Sequence, residues 1–515
     1  MGGAAARLSR PPLNSKLKIA MTSANDRILH AVDLHFDDQV RFLETLVRFK
    51  SLRNEESAAQ DFIEAALKQR GFTVSRFRTD ASKIGQHPAF SPATVDYDAS
   101  WNVVGSKPAG SGGGRSLAFN SHIDIVPAGS SQRWTSPPFE PVRDGDWLYG
   151  RGAGDMKAGL VASIFALDAI AAAGLSLRGD VQIQSVVEEE ITGNGAATAF
   201  ALGFTADAIV SPEPTDEQLV RANAGVLKFR LETKGRPAHP REPESGQSAI
   251  DLMIRLIGHL RTLEQQWIAE RQDKRWFKDL ANPVALTIGT IAGGDWIASI
   301  PSDCIAEGRI GFYPGESPKT RAAEFEAFVE RVQAEDPVFA GGQHVTLTWA
   351  GVMHAGYELP EDTAAEASLR SAHATTHAGE DLNAYVMACY LDAAVFSVHG
   401  NIPSLVYGPI AENIHGIDER VSLASLRRVT KTLALFAADW CGVSTIRPRT
   451  LFPSSTSFAR PTGPRRPTRR SSRTRPFWRM AMTGCRPRPG NISPDARSRD
   501  WAEARSALRA GWLPA

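Results

Sequence analysis

The stretch Val181-Gln182-Ile183-Gln184-Ser185-Val186-Val187-Glu188-Glu189-Glu190 decides the fold. Its first seven residues are β-branched or alternate apolar with polar, the pattern of a strand. Three acids then follow without a break. Like charges this close repel unless water or a cation neutralises them, and the end of a buried strand offers little water. A run of surface acids is the plainer alternative for this stretch alone. Adjacent side chains on extended backbone point to opposite faces, so neighbouring acids can take separate tasks. Glu190 is assigned to a metal ion and Glu189 to moving a proton.

The same arrangement recurs twice. Residues 116–120 are strand-like and run into Ser121-His122-Ile123-Asp124; residues 208–210 run into Ser211-Pro212-Glu213-Pro214-Thr215. The carboxyl ends of strands are where an open α/β sheet binds its ligands. His122 and Asp124 stand at i and i+2 and share one face, so the carboxylate can hold the imidazole ring or steady the site. Between these motifs lies Gly150-Arg151-Gly152-Ala153-Gly154-Asp155-Met156-Lys157-Ala158-Gly159. Its glycines permit sharp turns that bring Asp155 close, and one carboxylate has two oxygens with which to bridge two ions. The stretch lacks the Lys-Ser/Thr ending of a phosphate loop. His415, in Asn413-Ile414-His415-Gly416-Ile417-Asp418-Glu419, completes the set.

His122, Asp155, Glu190, Glu213 and His415 thus supply two imidazoles and three carboxylates, a ligand set for two divalent metal ions. Zinc is favoured by these mixed donors, and cobalt and manganese also fit. Asp124 and Glu189 remain for support and proton transfer. Two metals beside a spare carboxylate are equipped to activate water.

Working outward, helical periodicity marks residues 26–50, 56–70, 361–377 and 422–440. Strands are expected at 72–77, 102–106 and 404–407. The most apolar segment, 158–175, is interrupted by Asp168 and is short for a bilayer span; it reads as a buried helix. Residues 225–350 have their own order: strand 226–233, helix 248–267, strands 285–291 and 303–313, helix 319–334, strand 344–349. That βαββαβ order is ferredoxin-like, and it interrupts the chain between Glu213 and His415. The expected fold is α/β, a split catalytic domain with a mostly parallel sheet flanked by helices and an inserted ferredoxin-like domain. The expected boundaries are 21–222 and 352–443 for the catalytic halves and 223–351 for the insertion. Residues 1–20 and 444–515 are expected to be disordered.

The 515 residues are 42% hydrophobic and 22% charged, with a formal net charge of +1, an ordinary globular composition. The charge is unevenly spread. Residues 444–515 hold 16 Arg, no Lys and three acids, so the remainder is net acidic. Arg density would permit a nucleic-acid arm, but the lack of Lys disfavours that partner. No apolar core of signal-peptide length occurs in the first twenty residues, and no membrane association is expected. The four cysteines form no CxxC pair, so a reduced, cytoplasmic setting is expected.

In this order the motifs HxD, GxGxxDxK, Glu-Glu, Glu-Pro and a late His resemble the dinuclear zinc amidohydrolases and exopeptidases. That family includes acetylornithine deacetylase, succinyl-diaminopimelate desuccinylase, aminoacylase and glutamate-releasing carboxypeptidase. The resemblance covers residues 26–443. It implies that His122 and Glu213 hold one metal, that Glu190 and His415 hold the other, and that Asp155 bridges them, with a cis peptide at Asp155-Met156. It implies Glu189 as general base and then acid, and an inserted domain that acts as a lid and forms a homodimer. Within Lys234-Gly235-Arg236-Pro237-Ala238-His239-Pro240, His239 matches the imidazole that stabilises the oxyanion. Arg309 matches an arginine that grips a substrate carboxylate. Where many members carry an Asn, this chain reads Trp296-Ile297-Ala298-Ser299-Ile300-Pro301. The implied activity is hydrolysis of a small N-acyl amino acid, acetylornithine deacetylase-like. Desuccinylase, formyl-aminopyrimidine deformylase, dipeptidase and carboxypeptidase activities use the same machinery. A non-catalytic binding protein retaining the fold is the alternative from another class.

Overall fold

Alternating apolar side chains commit the first half of the chain to a sheet. The computed structural model describes residues 23–446 apart from 94, 111 and 341–343. The strands here are β1 (Thr73–Arg78), β2 (Trp101–Lys107), β3 (Leu117–His122), β4 (Val181–Val186) and β5 (Ile209–Ser211). Helix α1 (Ala24–Val47) opens on a Ser23–Asp26 capping box, which satisfies two end N–H groups reciprocally. It is followed by α2 (Ser57–Gln69) and α3 (Ala158–Ala172). Helix α3 is apolar nearly all round and is buried, as such a helix must be.

The insertion consists of β6 (Gly225–Lys234), α4 (Ala249–Ala269), β7 (Leu286–Gly293), β8 (Asp303–Phe312), α5 (Pro318–Glu335) and β9 (Val345–His354). Its sheet runs β7-β8-β6-β9 and is antiparallel throughout, the ferredoxin-like arrangement expected from the element order. Helices α4 and α5 pack on one face around a second apolar core that includes Leu227, Phe229, Leu256, Phe312 and Phe325. Strand β9 runs to His354, past the expected end at 349. An irregularity in its pairing with β6 lets the ladder resume at Val226 and Leu227.

The chain then returns to the first sheet with α6 (Ala364–Thr376), β10 (Ser404–Val406) and α7 (Leu423–Cys441). The completed order is β1-β2-β4-β3-β5-β10. β4, β3, β5 and β10 are parallel, while β1 and β2 form an antiparallel edge. Helices α1, α3 and α7 pack together on one side. The short helices Asn194–Ala201 and Ala393–Gly400 cover the other. Entry to and exit from the insertion lie side by side: the Tyr357 N–H donates to the Asn223 side chain at 2.9 Å, and Gly356 lies against the Asn223 carbonyl.

The expected disorder at 1–20, and that of the tail from 447 onward, lies outside the described residues. Ser444 and Thr445, expected to open the tail, instead end a short strand, Val443–Thr445, paired antiparallel with Leu175–Leu177. Hydrogen-bonding to that neighbour keeps the chain ordered past α7. No helix among the described residues is long and apolar enough to cross a membrane.

Two glycines give opposite expectations. A Cβ on Gly159, at the start of α3, would stand 1.9 Å from the Pro212 carbonyl oxygen, which is rigid backbone. Gly258, exposed on α4, has open space around it. Gly159→Ala is expected to destabilise by about 1–3 kcal/mol or more, and Gly258→Ala to stabilise by roughly 0.5–1 kcal/mol. Thermal or denaturant unfolding checks both; equal effects would mean that the close approach at Pro212 is unimportant.

Candidate metal centre

The ends of β3, β4 and β5 converge, and the sequence motifs converge with them. His122 Nε2 lies 3.2 Å from Asp155 Oδ1 and 3.8 Å from Glu213 Oε2. His415 Nε2 lies 3.3 Å from Asp155 Oδ2 and 3.1 Å from Glu190 Oε1. Asp155 thus offers one oxygen to each of two imidazole–carboxylate pairs. Donors about 3–4 Å apart can share one ion at bonds of roughly 2.0–2.2 Å. The Asp155-Met156 peptide is cis, as the resemblance implied.

The loops aim these groups by backbone and buried charge. Glu188 and His415 adopt left-handed backbone, with φ of 71° and 59°, an unusual state for non-glycine residues. At Glu188 the turn is held by N–H groups of Ile191, Thr192 and Gly193 donating to its carbonyl. Its carboxylate is fully buried and paired with Arg53, whose Nη2 donates to Oε2 at 2.8 Å. Of the three adjacent acids, Glu188 is therefore structural, Glu190 faces His415 and Glu189 lines the cleft. Glu189 makes no hydrogen bond through its carboxylate to another described residue.

Glu419 fixes the Asp155 loop. Its carboxylate accepts from the N–H groups of Gly152, Gly154 and Asp155 at 3.0, 2.9 and 3.1 Å. Buried Arg151 donates to it at 2.5 Å and to the Gly416 carbonyl at 2.8 Å. The loops bearing Asp155 and His415 are thereby one unit. Two tasks were expected for the Asp124 carboxylate, holding the imidazole ring or steadying the site. The His122 Nδ1 hydrogen bond, 2.9 Å, goes to the Asp124 backbone carbonyl, with the carboxylate at 3.6 Å. Asp124 Oδ2 instead accepts from the Glu190 N–H at 3.2 Å, tying the end of β3 to that of β4.

Electrostatics mark this as a place for cations. Burial, with Glu213, Asp392 and Glu190 nearby, pushes the Glu189 carboxyl well up. Burial does the same at Glu213, and it raises Asp124 to about 6 and Asp392 to about 7. His415 is raised to about 10 by hydrogen bonds to Asp155 and Glu190. His122 is raised against its own burial by Asp155 and Glu213. Imidazoles bind metal only when neutral, so metal ions would displace these protons. Acids that resist ionisation together are what divalent charge relieves; the donor set fits such ions.

Asp155, Glu189, Glu190, Glu213 and His415 line a cleft of about 480 Å³ with Lys228, Arg309, Cys389 and Tyr390. Arg309 is where a substrate contact was expected. His239 is not among these lining residues. It is exposed on the loop after β6, its Nδ1 accepting from the Arg241 N–H at 3.0 Å. Sequence reasoning missed buried Asp392, to which Tyr390 donates at 3.0 Å. It also missed Lys228, whose alternation with Leu227 and Phe229 resembles an ordinary solvent face.

Fold and clustered donors define a metal-dependent hydrolase, and the comparisons agree. The sequence profile of peptidase family M20/M25/M40 matches residues 118–439. The chain belongs to that family and is an amidohydrolase acting on linear amides. It is 31% identical over 346 residues to the N-formyl-4-amino-5-aminomethyl-2-methylpyrimidine deformylase of Halalkalibacterium halodurans, covering 64% of this chain and 79% of that one. It is 26% identical over 420 residues to the succinyl-diaminopimelate desuccinylase of Dinoroseobacter shibae, covering 78% and 99%. Human carnosine dipeptidase 1 shares the fold, with a TM-score of 0.65 at 16% identity, covering 81% of this chain and 99% of that one.

Glu419→Ala would leave three N–H groups without their acceptor and Arg151 buried without its partner. Metal affinity is expected to fall about 10–100-fold, and stability by about 3–5 kcal/mol. Competition with a chelator and denaturant unfolding measure the two. Wild-type metal affinity in this variant would show that the loop holds itself.

Proposed function

We propose that this enzyme hydrolyses the amide of a small N-acyl amino acid, with two divalent ions held by His122 and Glu213 on one side and by Glu190 and His415 on the other. The observation that carries this is the position of Asp155, with one oxygen toward each pair. Zinc suits the donors, and cobalt or manganese would fit them too. Bound ions supply Lewis acidity, polarising the acyl carbonyl and acidifying water. Glu189 takes a proton from the attacking water as its oxygen bonds to the acyl carbon. It then delivers that proton to the departing nitrogen as the C–N bond breaks. Asp124 steadies the backbone that carries Glu190. N-acetyl amino acids such as acetylornithine are the first substrates to test. Likeness to a deformylase and a desuccinylase makes N-formyl and N-succinyl compounds the second reading.

Replacing Glu189 with Gln is expected to reduce turnover of an N-formyl, N-acetyl and N-succinyl panel by more than about 100-fold, with metal content kept at two ions. Full activity in that variant would remove Glu189 from the mechanism.

His239 is proposed to serve the oxyanion in a second copy of the chain. Strand β7 is the edge of its sheet, with Ile291 53% exposed, and the adjoining loop leaves Trp296 68% and Ile297 97% exposed. An exposed apolar edge of this kind suits pairing with another copy, and the Ile300 N–H ties that loop to the Ala238 carbonyl beside His239. Mixing inactive Glu189→Gln and His239→Ala chains should restore roughly a quarter of wild-type activity, the statistical share of sites drawing one intact group from each chain. A mixture as inactive as its parts would place His239 elsewhere. The three described cysteines form no disulfide, in keeping with a cytoplasmic setting.

A further inference from the structure

Three imidazoles gather away from the metal cleft. His354 ends β9 of the insertion, His399 lies on the short helix Ala393–Gly400 of the catalytic half, and His87 lies between β1 and β2. All three line a cavity of about 380 Å³ where the two parts of the chain meet. None of its lining residues lines the metal cleft, and no carboxylate lines it. Its one lysine, Lys319, is exposed.

The central pair is set up for coordination. His354 is 2% exposed. Its Nδ1 lies 2.8 Å from the Ala355 carbonyl oxygen. A carbonyl only accepts, so Nδ1 bears the proton and Nε2 the lone pair. That Nε2 lies 3.0 Å from His399 Nε2. A ring fixed from behind by a backbone carbonyl, with its bare nitrogen in front, is how metal-binding histidines are commonly held. Bonds of roughly 2.0–2.1 Å at a tetrahedral angle place two nitrogens about 3.3 Å apart, so a small widening admits an ion. Without one, His399 Nε2–H donates to His354. His399 makes no other hydrogen bond among the described residues, so its proton can move to Nδ1 and free Nε2 with no net loss.

The half-exposed His87 ring is centred 5.8 Å from that of His399. Its Nδ1 accepts from the Ala89 N–H at 3.2 Å, and the ring has to turn inward to reach the same ion. Burial pushes His354 down to about 4, and burial with His87 nearby pushes His399 down as well. Both are neutral near pH 7, the form that binds metal. Imidazole donors suit zinc, copper and nickel, whereas magnesium and calcium take oxygen.

We propose that His354, His399 and His87 bind a transition-metal ion of their own, at the junction of the insertion with the catalytic half and separate from the cleft. The test is zinc titration of the full chain, without an affinity tag, by calorimetry and by metal content after dialysis. Wild-type protein is expected to hold one zinc more than His399→Ala protein, whatever number the cleft holds. His87→Ala should weaken that additional ion at least tenfold, and magnesium should not compete for it. Zinc kept by the cleft in each variant reports that the variant is folded. Wild-type crystals soaked in zinc give a readout that needs no variant: an anomalous peak about 2.0–2.1 Å from Nε2 of both His354 and His399. Equal zinc content in wild type and His399→Ala, undiminished affinity in His87→Ala, or a peak only against other residues would overturn the proposal. A cleft holding fewer than two ions would count against the ligand set proposed there and leave this difference standing.

Discussion

Buried negative charge is the constraint on which this molecule turns. Asp124, Asp155, Glu189, Glu190, Glu213 and Asp392 crowd one end of a sheet, outnumbering the two imidazoles and the Lys228 and Arg309 cations beside them. Such groups cannot all ionise in a low-dielectric interior without compensating charge. The fold answers in two ways. Acids that shape the backbone receive protein cations, as Glu188 does from Arg53 and Glu419 from Arg151. Acids that face the cleft make ion pairs only with His122 and His415 among the described residues, and the rest of their charge is left for ions that the chain does not itself provide.

That division gives the two parts of the chain different work. The parallel strands deliver donors from rigid ends, and loops locked by Glu419 and Asp124 set their directions. The inserted sheet brings no candidate metal donor to the cleft. It brings Lys228 and Arg309 to the cleft on neighbouring strands. Chemistry and recognition therefore sit on separate elements, so the acyl and amine preferences can change while the metal cage stays intact.

Much of this was legible in the sequence because metal chemistry restricts residue types severely. Strand ends followed by His122, Glu190 and Glu213 could be read one by one, and the βαββαβ order announced the insertion. Features that depend on distant pairing could not be read. Glu419 looks like one more acid after His415 until the 152–155 loop is seen folded onto it. Lys228 obeys the alternation of an exposed strand face, and only the docking of β6 against the catalytic half turns that face inward. Asp392 lies in an apolar run with nothing beside it to suggest a role. Which of its two expected tasks Asp124 takes up, holding the ring or steadying the site, could not be read either, because it turns on the Asp124 backbone carbonyl meeting the imidazole at 2.9 Å.

The contact of Asn223 with Gly356 and Tyr357 has a consequence for ancestry. Because the two crossings into the insertion are neighbours, the host strands β5 and β10 pair as though nothing intervened. A segment whose ends already meet imposes little closure entropy on the body that carries it. Such a module could have been acquired, exchanged or enlarged without rethreading the older sheet.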